Sequence, residues 1–437
     1  MNIKVRFSKQ NGKPEWRMNG RSIIGLAIIM GAALSTAPVS AQESPESLVA
    51  EALQNNPEIQ FYQLEMNAVR ASTRNAGALP DPVVSGSVGR IASRNPGPNQ
   101  PLFEGMTWSV GVMQNFEWPG RRNLRKAIAD GQVELAETGL HAFEAALAAQ
   151  VRGEAWKLAA AQRKADVARE VADRYRALRE TLIQRDLAGI TPKLELRILE
   201  ATEISLRQRA IDASLKAKES AEQLNFLLGR PQGSDIEVAL EMNELSPAPS
   251  LDSLLASARK NNFDIRLNEA HIRQQGFRVE LAENEGRPSI SVGPEVAREN
   301  GSSKDTFFSM GVSISLPLWR RNSHDVEAAR IREHQARTLL ELAVREAGRE
   351  VTLAASSYHM HLDEMANWSP EVVENFRDAA DLADRHYRLG AVNASTYIEM
   401  QKQYLEAVES WLDARYEAVQ SASLLEELTG VRLLQNP

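Results

Sequence analysis

Thr306-Phe307-Phe308-Ser309-Met310-Gly311-Val312-Ser313-Ile314-Ser315-Leu316 decides how this chain folds. Phe308, Met310, Val312, Ile314 and Leu316 fall on one face of an extended strand, and Phe307, Ser309, Gly311, Ser313 and Ser315 on the other, because successive strand side chains point to opposite sides. Apolar residues alternate with small and polar ones for about ten residues, the length a tilted strand needs to cross a bilayer. Trp108-Ser109-Val110-Gly111-Val112-Met113-Gln114-Asn115-Phe116 repeats the pattern, with Trp108, Val110 and Val112 opposite Ser109 and Gly111. A shorter partner precedes each, at residues 82–89 and 288–293. Turn-rich loops separate the partners, at residues 94–101 and 299–305, so the spacing predicts two hairpins. Two hairpins are too few to enclose a core of their own. Their apolar faces meet either lipid, as part of a β-barrel, or the edge of a soluble sheet.

Outward from the strands, the chain repeats itself. Ser47-Leu48-Val49-Ala50-Glu51-Ala52-Leu53-Gln54-Asn55-Asn56-Pro57-Glu58-Ile59 returns as Ser253-Leu254-Leu255-Ala256-Ser257-Ala258-Arg259-Lys260-Asn261-Asn262-Phe263-Asp264-Ile265. The offset of roughly two hundred residues far exceeds the period of about 20–50 of a solenoid unit. Each copy is therefore a whole structural half: a helical stretch (residues 45–78 and 251–284), a strand hairpin, a long helix, a Gly-containing turn and a second long helix. Residues 122–186 contain no proline, and residues 322–388 are interrupted mainly at Asn367-Trp368-Ser369-Pro370. At about 1.5 Å per residue such helices reach roughly 90–100 Å. Their apolar positions are rich in alanine, as in Ala145-Ala146-Leu147-Ala148-Ala149, which suits close, coiled-coil-like packing. Leu187-Ala188-Gly189-Ile190-Thr191-Pro192 and Leu389-Gly390-Ala391-Val392-Asn393 reverse the two helical hairpins, each with a glycine suited to a left-handed cap. Both tips are expected at one end of the molecule.

The first residues read as a leader. Lys4, Arg6, Lys9, Lys13, Arg17 and Arg21 precede an apolar run over residues 23–34, and Val39-Ser40-Ala41 supplies a small-residue cleavage pattern before Gln42. The apolar run is shorter than the roughly 20 residues of a membrane-spanning helix. The expected organisation is a signal peptide at 1–41, a first repeat at 42–229, a Pro/Gly/Ser-containing linker at 230–250 and a second repeat at 251–437. Cleavage takes the net charge from −7 to −12, since the leader carries those six bases and Glu15. An acidic exported chain does not suit nucleic acid, whose binding depends on Lys and Arg at phosphates. It suits a passage that favours cations. With 0 cysteines the chain has no disulfide, thiolate ligand or lipid-modified cysteine.

The order and duplication of these elements resemble the TolC-like outer-membrane efflux proteins over essentially the whole chain after the leader. The most specific residues are Gln114-Asn115-Phe116-Glu117-Trp118-Pro119-Gly120-Arg121-Arg122 and Ser315-Leu316-Pro317-Leu318-Trp319-Arg320-Arg321, at the two strand-to-helix junctions. Pro119-Gly120-Arg121-Arg122 with Leu228-Gly229-Arg230-Pro231 resembles the heavy-metal, CzcC-like branch. The resemblance implies an α+β membrane protein in which a long α-helical barrel joins a transmembrane β-barrel shared between three protomers, four strands each. It implies a homotrimer in outer-membrane lipid with a periplasmic extension. The tips at Gly189, Ile190 and Thr191 and at Gly390, Ala391 and Val392 would dock on a periplasmic adaptor (membrane fusion) protein, itself joined to a proton-driven inner-membrane pump. Trp108, Val110, Val112, Phe308, Met310, Val312 and Ile314 would face the membrane. The absence of cysteine departs from relatives that carry an N-terminal lipid anchor.

No phosphate loop, metalloprotease His-Glu pair or cysteine nucleophile is present, and neither an enzyme nor a cofactor is expected. His359-Met360-His361-Leu362-Asp363-Glu364-Met365 brings His359/Asp363 and His361/Met365 to spacings of one turn, on two different faces, as weak metal candidates or as exposed polar residues of a long helix. In relatives the pore narrows near the tip at acidic rings on the helix after the second turn. The matching positions here are Thr396, a departure, and Glu399. A ring of Glu399 would select cations, and the plain alternative is a solvated carboxylate. The function expected is a passive export conduit for heavy-metal cations, with a drug or protein-secretion conduit of the same fold as an alternative. A soluble periplasmic coiled-coil scaffold is the rival of a different class.

Overall fold

The computed structural model describes residues 42–93, 103–186, 193–239, 244–301, 304–317 and 322–435. The first half runs α1 (Pro45–Asn55), α2 (Pro57–Ala76), β1 (Val83–Ser93), β2 (Phe103–Phe116), α3 (Arg121–Asp186) and α4 (Lys193–Leu228). After β3 (Glu244–Leu245) the second half repeats it as α5 (Leu251–Asn261), α6 (Phe263–Glu285), β4 (Ser289–Asn300), β5 (Lys304–Ser315), α7 (Ser323–Asn367), α8 (Pro370–Arg388) and α9 (Ala394–Thr429), closing on β6 (Leu434–Gln435). Each expected opening helix is two helices, and the repeated asparagine makes the break. Asn56 Oδ1 accepts the Glu58 N–H at 2.7 Å. Asn262 Oδ1 accepts from Asp264 and Ile265 at 3.0 and 3.2 Å. Both side chains cap orphan donors of the helix that follows.

The same asparagine pair also ends the long hairpins. Asn56 donates to Leu227 O at 2.8 Å, and Asn261 donates to Thr429 O at 2.8 Å. Gly229 and Gly430, at φ 72° and 69°, hold the left-handed cap at these two helix ends. A Cβ at Gly229 would lie 2.8 Å from Asn55 O, so backbone approach as well as φ fixes a glycine there. The segment read as a linker is packed against the fold. Ile236 and Val238 are buried, Glu43 bridges to Val238, and Arg230 forks between Glu43 and Glu51.

The helices pack as a row in which α4 lies on α3, α3 on α6 and α9, and α7 on α6 and α9. Alanine is frequent among the buried residues of the long helices, with Ala155, Ala159, Ala165, Ala168 and Ala172 on α3 and Ala407, Ala414, Ala418 and Ala422 on α9. Larger buried side chains gather in separate clusters. One lies near the tip, around Tyr175, Tyr397 and Leu199, and others lie near the asparagine pairs, around Leu48 and Leu224 and around Leu254 and Tyr358. Among the described residues no helix is long and apolar enough to cross a membrane.

The strands form one antiparallel sheet in the order β1-β2-β4-β5. β1, β2 and β4 run longer than the alternation suggested, and β4 does so through Pro294. Proline offers no ladder donor. The β2–β4 register passes from Gly111↔Glu295 to Gln114↔Val292 without pairing between, and Gly293 approaches so closely that a Cβ would sit 1.7 Å from Val112 O.

Two arginines of α3 tie sheet to helices. Arg121 donates to Asn284 Oδ1 and O at 3.1 and 2.8 Å, at the end of α6. Arg125 pairs with Glu117 and reaches the Ala76 carbonyl at the end of α2. Cations at helix C-termini satisfy orphan carbonyls and oppose the negative end of the dipole.

Near the α9 terminus, burial together with Asp264 and Glu350 holds the Glu427 carboxyl above its ordinary value of 4.5. A raised folded value means that the folded state binds this proton more tightly than the unfolded state. The contribution to stability is full below about pH 4.5 and is lost as pH rises through the folded value. Glu427→Gln is therefore expected to raise the apparent Tm by a few degrees at neutral pH. The gain should vanish near pH 4, as read by circular-dichroism melting in detergent.

Candidate functional site: the helical tip and the strand wall

At the second tip, α8 ends on Leu389 and Gly390 takes the left-handed conformation at φ 73°. The Gly390 and Ala391 N–H groups return to the Tyr387 and His386 carbonyls at 3.0 and 2.9 Å, closing the helix end. Asn393 then starts α9, its Oδ1 accepting from the Thr396 N–H and the Thr396 and Ser395 hydroxyls at 2.8 Å each. Gly390, Ala391 and Val392 thus form a short turn, with Leu389 82% exposed at its apex and Val392 packed on the tip cluster. Gly189, Ile190 and Thr191 of the first tip lie outside the described residues.

Behind the turn, Tyr397 of α9 stands between Tyr175 of α3 and Tyr387 of α8, each ring pair 5.3 Å apart. The Tyr175 hydroxyl donates to Ile398 O at 3.3 Å. Burial pushes both the Tyr175 and Tyr397 hydroxyls well above the ordinary phenol range, with Tyr397 adding to the first and Asp384 to the second. Arg174 spans the same helices, pairing with Glu170 at 2.7 Å and with Asp381 of α8 at 2.5 Å. Gln401 donates to Ala380 O at 2.8 Å within the α8–α9 seam. Rings, ion pairs and amide together lock α8 and α9 onto α3.

Thr396 and Glu399 are both exposed, about one turn apart on α9. The Thr396 hydroxyl is taken up by the helix cap, whereas Glu399 Oε1 accepts from Gln403 at 2.8 Å and keeps its second oxygen for solvent. The structure thus separates two residues that the sequence grouped.

The sheet sorts its side chains by face. Residues opposite one another across a ladder share a face. Gly86, Val110, Val296 and Phe308 therefore form one apolar rung, and Phe116, Ile290 and Ile314 another. Trp108, Val112, Met310 and Val312 lie on this same face, with Phe308 82% and Met310 70% exposed. The opposite face carries Ser85 with Gly111, Glu295 and Ser309, and Asn115 with Ser291 and Ser313. Ser87 and Ser109 hydrogen-bond across it at 2.9 Å. Phe307, and Val83 with its partner Met113, are large apolar exceptions on it.

His359 is exposed and does not join His361. His361 instead turns toward Glu364 on its own helix and Glu417 on α9, a contact no helical spacing can reveal. The tyrosine trio was equally invisible, since Tyr175 lies roughly two hundred residues from Tyr387 and Tyr397. Arg121 and Arg125 had a signal, their place at the strand-to-helix junction, which marks a helix start rather than the two helix ends they hold.

Residues 48–230 and 254–431 match the family model of outer membrane efflux proteins, one match to each half. No curated protein sequence matches the chain. Among solved structures the chain is similar to CusC, at 19% identity and a TM-score of 0.70, over 90% of this chain and 93% of that one. It is similar to the CmeC outer membrane channel of Campylobacter jejuni, at 16% identity and a TM-score of 0.71, over 90% and 87% of the two chains. The MtrE outer membrane channel of Neisseria gonorrhoeae, solved in its open state, gives 18% and 0.68 over 89% of each. The fold is therefore that of the TolC-like channels, with a helical barrel part and a strand part.

The Tyr397 hydroxyl is buried with no hydrogen-bond partner, as are Asp384 Oδ1 and Gln401 Oε1 in the same tip. Removing an unpaired buried polar atom costs little, while removing the ring opens a cavity. Tyr397→Phe should leave tip stability unchanged or slightly higher. Tyr397→Ala should cost about 3–5 kcal/mol, seen as faster hydrogen exchange across α8 and the start of α9.

Proposed function

This chain belongs to the outer membrane efflux protein family, and on that footing we propose that it is the outer-membrane channel of a tripartite efflux system. The observation that carries the reading is the sheet: one face apolar and exposed, the other serine-rich, and both edge strands, β1 and β5, with only one neighbour each. Lipid suits the first face and a water-filled lumen the second. Open edges are not tolerated in hydrocarbon, so other copies must pair with them. Three copies of a four-stranded sheet give a twelve-stranded barrel, wide enough to leave a passage.

The helical row supports the same homotrimer. On α4, Ile204, Leu215 and Phe226 are 64%, 57% and 64% exposed; on α7, Ile331, Leu342 and Leu353 are 61%, 55% and 56% exposed. Both stripes recur every eleven residues, a period near the helix's own, so each runs almost straight along its helix. They stand on the two outer helices of the row, where one copy would meet the next head to tail. Leu215→Asp and Leu342→Asp should each yield chains that export and fold as helix yet elute as monomer from detergent chromatography. A trimeric Leu342→Asp variant would remove this account of the contact.

Under this reading the chain is a passive conduit. Residues 1–41 direct export and are cleaved after Ala41. The tips around Gly189, Ile190 and Thr191 and around Gly390, Ala391 and Val392 receive the periplasmic adaptor, which links the channel to a proton-driven inner-membrane pump. Heavy-metal cations are the proposed cargo. The Pro119-Gly120-Arg121-Arg122 junction supports that branch, and Glu295 and Glu299 give the polar face of the sheet a cation-favouring charge. Glu399, exposed beside the tip turn, would form the cation-selective ring, and Thr396 would play no gating part because its hydroxyl is committed to the cap.

Glu399→Ala should raise single-channel conductance in planar bilayers, or lessen block by divalent cations, several-fold. Unchanged recordings would remove the gate from this position. Recovery of the wild-type chain in the soluble periplasm without detergent would favour the scaffold reading over the channel.

A further inference from the structure

Near its C-terminal end α7 carries His361 and Glu364, one turn apart, and α9 presents Glu417 to both. His361 Nδ1 lies 3.3 Å from Glu417 Oε2 and 4.0 Å from Glu364 Oε2, and the three ligand atoms lie within 4.8 Å of one another. Nδ1 is itself shielded from solvent, yet it makes no hydrogen bond, because the 3.3 Å contact lacks the alignment one requires. With Nδ1 as the unprotonated nitrogen, the imidazole and the two carboxylates turn three acceptors toward one point, a donor set that a bound cation would satisfy.

We propose that His361, Glu364 and Glu417 form a binding site for one divalent transition-metal ion that pins α7 to α9. The donor set names the class of ion. Imidazole with carboxylate suits zinc, cobalt, nickel or copper, whereas calcium and magnesium prefer oxygen alone. Bond lengths of about 2.0–2.2 Å need the carboxylates to close in slightly, and both belong to long side chains about half exposed: Glu364 is 55% and Glu417 49% exposed. The remaining coordination positions face water.

Position gives the site its consequence. Fewer than two turns further on, α7 stops at Asn367, and Trp368 leaves helical geometry before Ser369 caps α8. An ion here fixes the last turns of α7 against α9 just before the break, and so fixes the base from which α8 runs to the tip. The ion is a resident of the wall, not the cargo, so the proposal stands whether or not the conduit carries metals.

The test is a Co2+ titration of the full-length protein in detergent, followed by its visible absorption and by displacement with Zn2+. One Co2+ per chain is expected, displaced stoichiometrically by Zn2+. The band should be lost in His361→Ala, and affinity should fall at least tenfold in Glu417→Gln and in Glu364→Gln. His359→Ala, two residues away and exposed, should bind as the wild type does. Failure of the wild type to bind, retention of the band in His361→Ala, or equal loss in His359→Ala would each overturn the site. The two Gln variants keep shape and helix propensity, so a loss of binding in them with unchanged circular dichroism cannot be ascribed to misfolding.

Discussion

A four-stranded sheet with two open edges cannot stay alone in hydrocarbon, and most of the structure follows from that constraint. Each unpaired backbone group at β1 or β5 would cost several kcal/mol away from water. The chain cannot close the ring itself, because each half supplies one hairpin and the halves pair through β2 and β4. The helical row inherits the problem in another form. Its outer members, α4 and α7, carry apolar stripes at matching eleven-residue intervals. A single head-to-tail contact, repeated around an axis as in the proposed trimer, would satisfy strand edges and helix stripes together.

Joining two walls of different physics requires rigid couplings, and these fall where the sequence repeats or where glycine and arginine meet. The duplicated asparagines cap the short helices and hold the far ends of the long ones. The hairpins of both halves are therefore anchored by the same side-chain chemistry. Arg121 and Arg125 act at the other boundary, holding the ends of α6 and α2 as the chain turns into β4 and β1. The repeat thus records a mechanical role, which explains why Asn55-Asn56 and Asn261-Asn262 persist where neighbouring residues differ.

Much of this was legible in the sequence because it is periodic. Phe308-Met310-Val312-Ile314 writes its face by parity, and residues 122–186 announce a long helix by the absence of proline. The Asn367-Trp368-Ser369-Pro370 interruption lies where α7 gives way to α8. What escaped is what periodicity cannot carry. Pro294 breaks the alternation, yet β4 continues through it because β5 stays paired there and β2 pairs on either side of the gap. Thr396 and Glu399 differ in charge on sight, but only the folded chain shows the Thr396 hydroxyl taken up by the Asn393 cap. Ile236 and Val238 sit in a stretch whose Pro, Gly and Ser content signals a loose linker, although tertiary contacts bury both. The His361–Glu417 pair joins residues on different helices, beyond the reach of any local spacing rule.

Buried alanines bring helix axes close but bury little area each, so stability per turn along the seam is small. The large side chains are concentrated at the tip and near the asparagine pairs, with alanine frequent between. A wall built this way is stiff at its fixed points and compliant between them. Movement of the α8–α9 tip relative to α3 then has an identifiable cost. It must separate the Tyr175–Tyr397–Tyr387 rings and break the Arg174–Asp381 pair, while the alanine seam behind resists little. The break between α7 and α8 supplies the pivot, and the helix end it pivots on is the one that carries His361.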